Sequence, residues 1–457
     1  MSPAQQLRRD ALRIWQAGIE AVLPDKLLER EISVAANALR IGDWESPLDS
    51  IGRILVVGAG KAGAAMVRGL ESALGPEVIA KHQVGGWVNV PAGTVEPTSA
   101  VHLHAGRPAG VNEPRPEGVE GTRQILREVS TLAPRDLCIC LLSGGGSALL
   151  PAPAAGVTLD NKAAITRLLS ASGATIDQLN CVRRQLSDIK GGGLARACTA
   201  GTLLTLVVSD VLGDPLDTIA SGPTYPCHEG PEQALDVLRR LDLAEHEDAR
   251  PIVEYLQRRI EAGDGPPAEP SCHVEHLVLA NNATAVDAAG MEAERLGYNH
   301  AMLCATESEG PAEDVGQHLA DMALAMRDQP GPNCLITGGE PTVTLAPPER
   351  RGKGGRNQQL VLAALEKLGD CHGVALLSGG TDGEDGPTDA AGAMIDADVV
   401  AAASKQGLDA ADFLDRNDAY HFFQPLDALV ITGPTGTNVC DIRVVVVDQQ
   451  SPANTDG

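Results

Sequence analysis

The amino-acid sequence predicts an α/β protein with two domains whose sheets are largely parallel or mixed. Short apolar runs that are typical of buried strands alternate with segments of helical length, and this alternation indicates βαβ units. A length of 457 residues favours two or more domains over one core. Four of the apolar runs lead directly into glycine-rich turns, namely Ile54–Gly63, Leu141–Leu149, Leu335–Pro341 and Leu376–Gly386.

The first predicted domain, residues 1–265, is Rossmann-like and opens with an amphipathic helix at Ala4–Leu23. Its predicted strands are Ile54–Val57, Leu137–Leu142 and Leu203–Ser209. Its predicted helices are Lys61–Leu74, Lys162–Ser170, Arg184–Ala200, Glu232–Arg240 and Ile252–Glu261. The segment Ala262–Glu269 is rich in glycine, proline and acid, so we expect it to be the linker.

The second predicted domain, residues 266–457, shows a new alternation of strands and helices. Its predicted strands are Val274–Ala280, His300–Ala305, Asn333–Thr337, Gly373–Ser378, Ala428–Ile431 and Arg443–Val447. Its predicted helices are Thr284–Leu296, Asp314–Met326 and Gln358–Leu368. Ligands of open α/β sheets bind outside the carboxyl ends of the strands, so we expect the glycine loops to line an active site in the cleft between the domains.

Composition excludes several classes of partner. The formal net charge is -25, from 36 basic and 61 acidic residues, which argues against nucleic acid because duplex binding needs basic surface. No run of eighteen apolar residues occurs, so no membrane span is expected. Ten scattered cysteines without a CxxC pair predict reduced thiols and a cytoplasmic location.

The first glycine loop predicts an anion site. Gly58, Gly60 and Gly63 match the G-x-G-x-x-G pattern after a strand, but Lys61 stands inside the turn at the start of a helix. A lysine there adds positive charge where helix amides already favour an anion. The stretch Val78–Val90 offers no acid at a strand end for a dinucleotide ribose, so phosphate is favoured over a dinucleotide.

Two further segments of the first domain carry groups suited to phosphate or metal. A nest for phosphate oxygens is predicted from two hydroxyls and three glycines, Ser143, Gly144, Gly145, Gly146 and Ser147. Asp210 closes a predicted strand, where a carboxylate would bind Mg²⁺ or act as a general base, and Asp214 follows in a turn.

The later half of the chain contributes cations and acids. Lys353 and Arg356 precede a predicted helix and form a plausible clamp on a phosphoryl group. One loop after a strand carries several acids and threonines, which suggests a metal or substrate-hydroxyl site: Thr381, Asp382, Glu384, Asp385, Thr388 and Asp389.

Together these motifs resemble the class II glycerate kinases, the family whose C-terminal domain is called MOFRL. The matching stretches are VVGAGKAG, LLSGGGSALLPAP, LNCVRRQLSDIKGGGLA, VVSDVLGDPLDTIASGPT, ITGGEPTVTL, GKGGRNQQL, SGGTDGEDGPTDAAGA and TGPTGTNVCDIRV. The resemblance implies an enzyme that phosphorylates D-glycerate with ATP and Mg²⁺, mostly giving 2-phosphoglycerate. Relatives have also been named hydroxypyruvate reductases.

The motifs and the resemblance together give the candidate site residues. The catalytic residues would be Lys61, Arg356 and Asp382, with Asp210 as a further candidate. The nucleotide- or phosphate-binding residues would be Gly58, Gly60, Ser143, Gly144, Gly145, Gly146, Ser147, Lys190, Gly191 and Gly192. The substrate-binding residues would be Asn180, Arg183, Asn282 and Glu340. The metal ligands would come from Asp210, Asp214, Asp382 and Asp385.

One departure from the family pattern concerns the acceptor. This chain has Gly106-Arg107-Pro108 where the family usually reads Gly-His-Pro. The sequence therefore predicts a kinase of a small hydroxy acid, most simply D-glycerate, acting as a monomer or homodimer. The alternatives are a nicotinamide-dependent hydroxypyruvate reductase and a non-catalytic protein that binds a phosphorylated metabolite. The sequence leaves open which acid holds the metal and which accepts a proton.

Overall fold

The computed structural model describes residues 2–108, 110–111 and 113–449, and it forms two compact units. The central unit is Pro24–Leu279, and the terminal unit combines the residues up to Leu23 with those from Ala280 onward. The first helix, α1 (Pro3–Ala21), therefore packs in the unit that the end of the chain forms. The sequence places this helix in the first domain and the division near residue 265, so the observed division differs from the expected one.

The central unit contains one six-stranded sheet, one small sheet and nine helices within its described residues. The large sheet comprises β4 (Ile54–Ala59), β5 (Gly85–Pro91), β6 (Val101–Arg107), β7 (Leu137–Leu142), β8 (Thr202–Val208) and β9 (His273–Ala280). The small antiparallel sheet comprises β1 (Ile32–Ala35), β2 (Ala38–Ile41) and β3 (Trp44–Pro47). The helices are α2 (Pro24–Glu31), α3 (Gly63–Lys81), α4 (Pro116–Val129), α5 (Gly146–Leu149), α6 (Leu159–Ala171), α7 (Ile176–Gln185), α8 (Gly193–Ala197), α9 (Pro231–Arg240) and α10 (Arg250–Glu261).

The strand order of the large sheet is β6-β5-β4-β7-β8-β9. The pairs from β6 through β8 are all parallel. Strands β4, β7 and β8 are almost wholly buried and consist of apolar runs, as a sheet covered on both faces requires. The order reverses between β4 and β7, and in open α/β sheets ligands bind at the carboxyl ends of strands at such a switch point.

One predicted helix of the central unit is wrong in its extent. The sequence predicts a helix over Arg184–Ala200, whereas the structure has α7, which ends at Gln185, and the short α8. Helix α7 starts earlier because Thr175 caps it, with its hydroxyl accepting from the amide of Gln178. Between the two helices Gly191 and Gly192 have φ of 54° and 75°, values that a right-handed helix cannot accommodate.

The terminal unit contains one mixed sheet with helices around it. Its strands are β10 (His300–Cys304), β11 (Cys334–Gly339), β12 (Val374–Gly380), β13 (Gly392–Ile395), β14 (Leu429–Val430) and β15 (Asp441–Val447). With α1, its helices are α11 (Asn282–Arg295), α12 (Ala312–Asp328), α13 (Arg356–Leu368), α14 (Ala397–Gln406), α15 (Ala410–Asp415) and α16 (Ala419–Phe423).

The last strand of the terminal unit lies at the centre of its sheet. The strand order is β10-β11-β15-β12-β13-β14, and β15 runs antiparallel to both of its neighbours. Every residue of β15 is buried, which explains its unbroken run of valines. The mixed arrangement is one of the two that the sequence predicts.

Helix α1 is fixed to the terminal unit through Trp15. This side chain is fully buried, and its Nε1 donates to the carbonyl of Gly379 at the end of β12 over 3.2 Å. A β-carbon placed on Gly379 would lie 2.8 Å from Cζ2 of Trp15, so the indole packs directly on the strand backbone. Within the described residues, none of the helices combines the length and apolar character that crossing a bilayer requires.

We predict that Trp15→Ala lowers the free energy of unfolding by about 3–5 kcal/mol, the range for removing a large buried side chain. The measurement is denaturant unfolding followed by far-ultraviolet circular dichroism. Trp44→Ala is the matched control, because Trp44 lies on β3 and is only partly buried. Equal losses for the two variants would contradict the packing of α1 described here.

Candidate active site

Two glycine-rich loops of the central unit are bound to each other at the carboxyl ends of β4 and β7. The amide of Lys61 donates to the carbonyl of Gly144 over 2.8 Å, and the amide of Ala62 donates to Ser143 Oγ over 3.0 Å. In return, the amide of Ser143 donates to the carbonyl of Ala59 over 3.2 Å. The two loops therefore form one structure at the switch point of the sheet.

Two of the predicted phosphate-loop glycines are required by this close approach. A β-carbon on Gly58 would lie 2.0 Å from the carbonyl oxygen of Leu141, and one on Gly60 would lie 1.9 Å from Ser143 Oγ. Their φ angles, 151° and 154°, are also ones that other residues rarely adopt. A side chain at either position would push the loops apart.

Two cationic side chains lie against Gly145 in the second loop. A β-carbon built on this glycine would be 3.1 Å from Nη2 of Arg107 and 3.5 Å from Cγ of Lys61. Arg107 ends β6 and is buried. Sequence reasoning noted Arg107 only as a departure from the family pattern, whereas the structure brings it to the same loop as Lys61. Positive charge from two strands beside one glycine loop favours an anionic ligand.

A buried lysine is held beside the same loop. Lys190 is 3% exposed, and its Nζ donates to Ser147 Oγ over 2.7 Å and to the carbonyl of Ser147 over 3.1 Å. It also lies 3.3 Å from the carbonyl of Ala220 and from Ser221 Oγ. Nη2 of Arg183 donates to the same Ser147 hydroxyl. Two cations thus converge on one serine.

Asn180 and Ser221 extend this network. Ser221 Oγ lies 3.0 Å from Ser147 Oγ and donates to Asn180 Oδ1 over 3.1 Å. Asn180 is 1% exposed, and its Nδ2 has no hydrogen-bond partner among the described residues. Ala220 and Ser221 have φ of 51° and 61°, a costly conformation for residues with a β-carbon and one found at functional sites. A donor is therefore held ready inside a polar, strained pocket.

The electrostatics of this pocket favour a bound anion. Burial lowers the pKa of Lys190 well below its usual value, and the charges of Arg183, Lys162 and Arg184 lower it further. Burial also lowers the pKa of Arg183. Arg184 is compensated by Asp217 and Glu229, whereas the hydrogen-bond partners of Lys190 given above are all neutral. Buried charge without a counter-charge is costly, so an anionic ligand would stabilise the pocket.

The other predicted residues of the central unit have different positions. Asp210 follows β8, whose carboxyl end lies beside that of β7, so it stands at the same edge of the sheet. Asp214 lies farther along, in a turn with φ of 52°. The amides of Gly191 and Gly192 donate to the carbonyls of Ser221 and Gly222 over 3.0 and 2.7 Å, so these glycines hold the Lys190 segment against the Ser221 turn.

In the terminal unit Arg356 is fixed by two acids. Its Nε and Nη2 donate to the two carboxylate oxygens of Asp441 over 2.6 and 2.9 Å, and its Nη1 lies 2.9 Å from Glu340. Asp441 is fully buried, whereas the Arg356 side chain is 33% exposed. Burial opposes the charge of Arg356, but the acids raise its pKa overall, and burial raises that of Glu340. Arg356 is thus rigid, charged and accessible.

Asp385 caps the helix that carries Arg356. Its Oδ1 accepts from the amide of Asn357 over 3.0 Å, and its Oδ2 accepts from the amide of Gln358 over 2.9 Å. The side chain is 2% exposed, and burial raises its pKa to about 6 although the two amides oppose the shift. The carboxylate therefore orders the start of α13.

Asp382 lies near Arg356 and its partners. A β-carbon on Gly380 would be 3.2 Å from Oδ1 of Asp382 and 3.5 Å from Oδ1 of Asp441, so both acids stand at the end of β12. Oδ1 of Asp382 accepts from the amide of Glu384 over 3.1 Å. Among the described residues no group of three or more histidine, cysteine, aspartate or glutamate side chains is arranged to hold a metal ion.

Asn282, the first residue of α11, is buried and hydrogen-bonds to the backbone around Asp441. Its Nδ2 donates to the carbonyls of Val439 and Asp441 over 2.8 and 2.9 Å. It therefore fixes the start of β15, from which Asp441 reaches Arg356.

Comparison with known proteins agrees with these features. Residues 10–257 match the family described as a domain of unknown function (DUF4147), and residues 333–441 match the MOFRL family. Rat glycerate kinase is 35% identical, with 98% of this chain and 95% of the rat protein covered. D-glycerate 2-kinase of Thermotoga maritima is 33% identical, with 98% and 100% covered. The chain belongs to the glycerate kinase family.

One solved structure and one relative with a different name are also similar to this chain. The crystal structure of the Thermotoga maritima glycerate kinase matches with a TM-score of 0.82 and 34% identity, over 97% of this chain and all of that one. A putative hydroxypyruvate reductase of Agrobacterium vitis is 38% identical over 87% of this chain and 100% of that protein. The resemblance predicted from the sequence and the α/β fold class are therefore confirmed.

For this member of the glycerate kinase family, sequence reasoning missed two residues of the networks above. Ser221 links Lys190 to Asn180, and Asp441 is the buried partner of Arg356. Both lie inside stretches that carry the family resemblance, VVSDVLGDPLDTIASGPT and TGPTGTNVCDIRV. Their chemistry gave no signal, because a serine before glycine and an acid where a strand begins are ordinary at turns.

We predict that Asp385→Ala lowers the free energy of unfolding by about 1–3 kcal/mol, because two buried amides at the start of α13 lose their acceptor. Urea unfolding of the purified variant measures the loss. Asp409→Ala is the control, since Asp409 is an exposed residue that caps the short helix α15, and we expect it to cost less. A loss for Asp385→Ala no larger than that for Asp409→Ala would argue against the capping role.

Proposed function

We propose that the chain is a kinase that transfers a phosphoryl group from ATP, with Mg²⁺, to D-glycerate and forms 2-phosphoglycerate. The observation that carries this proposal is the buried network of Lys190, Arg183 and Ser147 beside the joined glycine loops, in a member of the glycerate kinase family. Phosphoryl transfer depends on positioning and charge neutralisation more than on covalent chemistry, and this network supplies both. The names of the relatives support the acceptor and the phosphorylated position.

The central unit would bind the anionic groups of the reactants. Lys61, just before α3, and the serine-glycine loop would contact phosphate oxygens, as helix starts and backbone amides do elsewhere. Lys190 would hold a phosphate against Ser147. Arg183 and the unpaired amide of Asn180 would orient glycerate through its carboxylate and hydroxyl groups.

The terminal unit would act on the transferred group. Arg356 keeps its charge because Asp441 and Glu340 compensate its burial, so its exposed part could face a phosphoryl oxygen. Asp382 would accept the proton of the substrate hydroxyl or hold the metal. Asn282 would position Asp441, and Asp385 would position Arg356 through α13. Glu340 would contact substrate at the edge of this group.

The carboxylates present fit Mg²⁺ bound together with a nucleotide. Mg²⁺ prefers oxygen ligands and is usually held by one or two carboxylates plus phosphates and water, so Asp210 or Asp382 would suffice without a cluster of acids. Asp214, in the turn that follows Asp210, is a further candidate, whereas both oxygens of Asp385 already accept amides. When bound, the cation would neutralise charge on the phosphates.

Hydroxypyruvate reduction is the second candidate, because a relative carries that name. The structure supplies an argument against a dinucleotide: β5 ends in Asn89-Val90-Pro91, with no acid for a ribose hydroxyl. We also expect a cytoplasmic location, in keeping with ten free thiols, and a monomer or homodimer.

A paired assay tests the proposed function. ADP release with ATP, Mg²⁺ and D-glycerate is measured beside nicotinamide absorbance with hydroxypyruvate, and ³¹P nuclear magnetic resonance identifies the product. We expect ADP release, 2-phosphoglycerate, loss of activity in excess chelator and recovery with Mg²⁺. Oxidation of the nicotinamide without ADP release would show that the protein is a reductase and not a kinase. Full turnover in excess chelator would contradict the metal requirement.

We predict that Lys61→Ala lowers kcat by about 10²–10³-fold, the scale for losing one preorganised electrostatic group. Folding should change little, because Lys61 is only partly buried. Lys81→Ala, at the other end of α3, is the control and should keep full activity, since Lys81 is exposed. Near-normal turnover of Lys61→Ala would show that this lysine takes no part in the mechanism.

We predict that Arg356→Lys lowers kcat/KM at least about tenfold, because lysine cannot keep a two-pronged contact with Asp441 while it faces a ligand. The control is Arg350→Lys, an exposed arginine of the same loop that pairs with Asp415. Circular dichroism of both variants separates loss of folding from loss of catalysis. Equal activity of the two variants would contradict a direct role for Arg356.

A further inference from the structure

Lys162 is a buried lysine that the mechanism above does not use. It lies on α6, 7% exposed, and its Nζ has no hydrogen-bond partner among the described residues. Ile165 and Leu169, one and two turns later on the same helix, are fully buried in an apolar cluster. A lysine buried in such surroundings without a partner is strongly unfavourable, and an anionic ligand would stabilise it.

The charged groups around Lys162 are mostly cations. Helix α7, which packs on α6, presents Arg183, and the segment after α7 contributes Asp188 and Lys190. Among the described residues, Asp188 is the one acid that acts on Lys162, and burial raises the pKa of that acid itself.

Two more elements face this group of charges. Helix α4 supplies Arg123, a further cation that acts on Asp188. Helix α10, which also packs on α6, presents Tyr255 and Arg259, which bind the carbonyl of Gln185 over 3.4 and 3.2 Å. The region therefore carries an excess of positive charge.

Lys162 interacts electrostatically with the two basic side chains that converge on Ser147. The charge of Arg183 acts on Lys162, and the charge of Lys162 acts on Lys190, so the three lie close enough in a low-dielectric interior to repel one another. On α7 and just after it, the side-chain amide of Asn180 and the hydroxyl of Ser187 are also buried, and neither has a partner in the part of the chain that the structure describes. Three basic side chains and two unused donors are more than a single carboxylate can satisfy.

We propose that Lys162 completes, with Arg183 and Lys190, a buried site for a phosphate group that carries two negative charges, and that Lys162 takes up a proton when this group binds. The proposal rests on the proposed function and deepens it, because it assigns a residue outside the predicted site to the most highly charged group of the reaction. That group is a phosphate of the nucleotide tail or the phosphate of the product.

The proton uptake follows from the burial of Lys162 and from the charges around it. Burial and Arg183 lower the pKa of Lys162 to about 7, so much of the lysine is neutral at pH 7 and above. A dianion beside it favours the charged form and raises that pKa. Affinity for the dianion should therefore be greatest below pH 7 and should fall by up to about tenfold per pH unit above it, until the raised pKa is passed.

Sulfate is the probe for the unmodified protein, because it is a tetrahedral dianion whose charge is constant between pH 6 and 9. Calorimetric titration at pH 7.5 in two buffers of different ionisation enthalpy measures the protons taken up. We expect net uptake, a rise of the sulfate Kd above pH 7, and displacement of sulfate by ADP or by 2-phosphoglycerate; comparing the two competitors identifies the source of the phosphate. No sulfate binding, no proton uptake, or displacement by neither competitor would overturn the proposal.

Lys162→Met tests the assignment to this residue. We expect the sulfate Kd at pH 6.5 to rise about 10–100-fold, the scale of one hydrogen bond to a charged group, and its pH dependence to flatten. The ligand-free variant should unfold at the same or a higher temperature, which a merely structural lysine would not allow. Lys367→Met, an exposed lysine paired with Asp321, is the control and should bind sulfate as the unmodified protein does.

The remaining outcomes are also decisive. A pH profile that survives in Lys162→Met would assign the proton to Lys190 and overturn the proposal, as would unchanged sulfate affinity. If Lys162→Met fails to fold, Lys162→Gln is titrated in its place, and proton uptake that survives in that variant overturns the proposal. Because sulfate binding needs no turnover, a protein that binds sulfate as expected but lacks kinase activity would refute the proposed function and leave this site standing.

Discussion

Positive charge buried at the carboxyl edge of a parallel sheet is the constraint on which the central unit depends. Lys190 is removed from water and hydrogen-bonds to serine hydroxyls and backbone carbonyls, with Arg183 directed at the same Ser147. Such an arrangement persists only where the surrounding structure fixes it. The strained Ala220-Ser221 turn and the left-handed glycines after Lys190 supply that fixation, since each holds the other through backbone hydrogen bonds.

The joined glycine loops are likewise held in place by the structure around them. Gly58 and Gly60 allow β4 and β7 to end in loops that are closer than any side chain would permit. The same close approach brings Lys61 and Arg107 to Gly145. The packing that joins the two loops therefore also places their positive charge. A glycine here is needed by the fold as well as by a ligand, which is why a glycine pattern alone is a weak indicator of chemistry.

In the terminal unit, by contrast, the key cation has acidic partners. Arg356 is balanced by a fully buried aspartate and a second acid, so its charge is retained rather than suppressed. The central position of β15 makes this possible, because the first residue of that strand, Asp441, stands beside the end of β12 and the acidic loop that follows. The central unit therefore holds under-compensated cations, whereas the charge of Arg356 in the terminal unit is compensated by acids.

The sequence by itself determined the α/β class, most strands of both sheets and the identity of the glycine loops, because apolar runs bounded by glycine reflect local burial. Local motifs also singled out Lys61, Arg356 and Asp382 as candidate site residues. It could not place α1 with the end of the chain, since Trp15 meets Gly379 across 364 positions. Nor could it show that Asp385 caps α13, that Asp441 holds Arg356, or that Lys162 lies buried among cations. Those facts depend on which side chains share a buried space, and only the tertiary packing decides that.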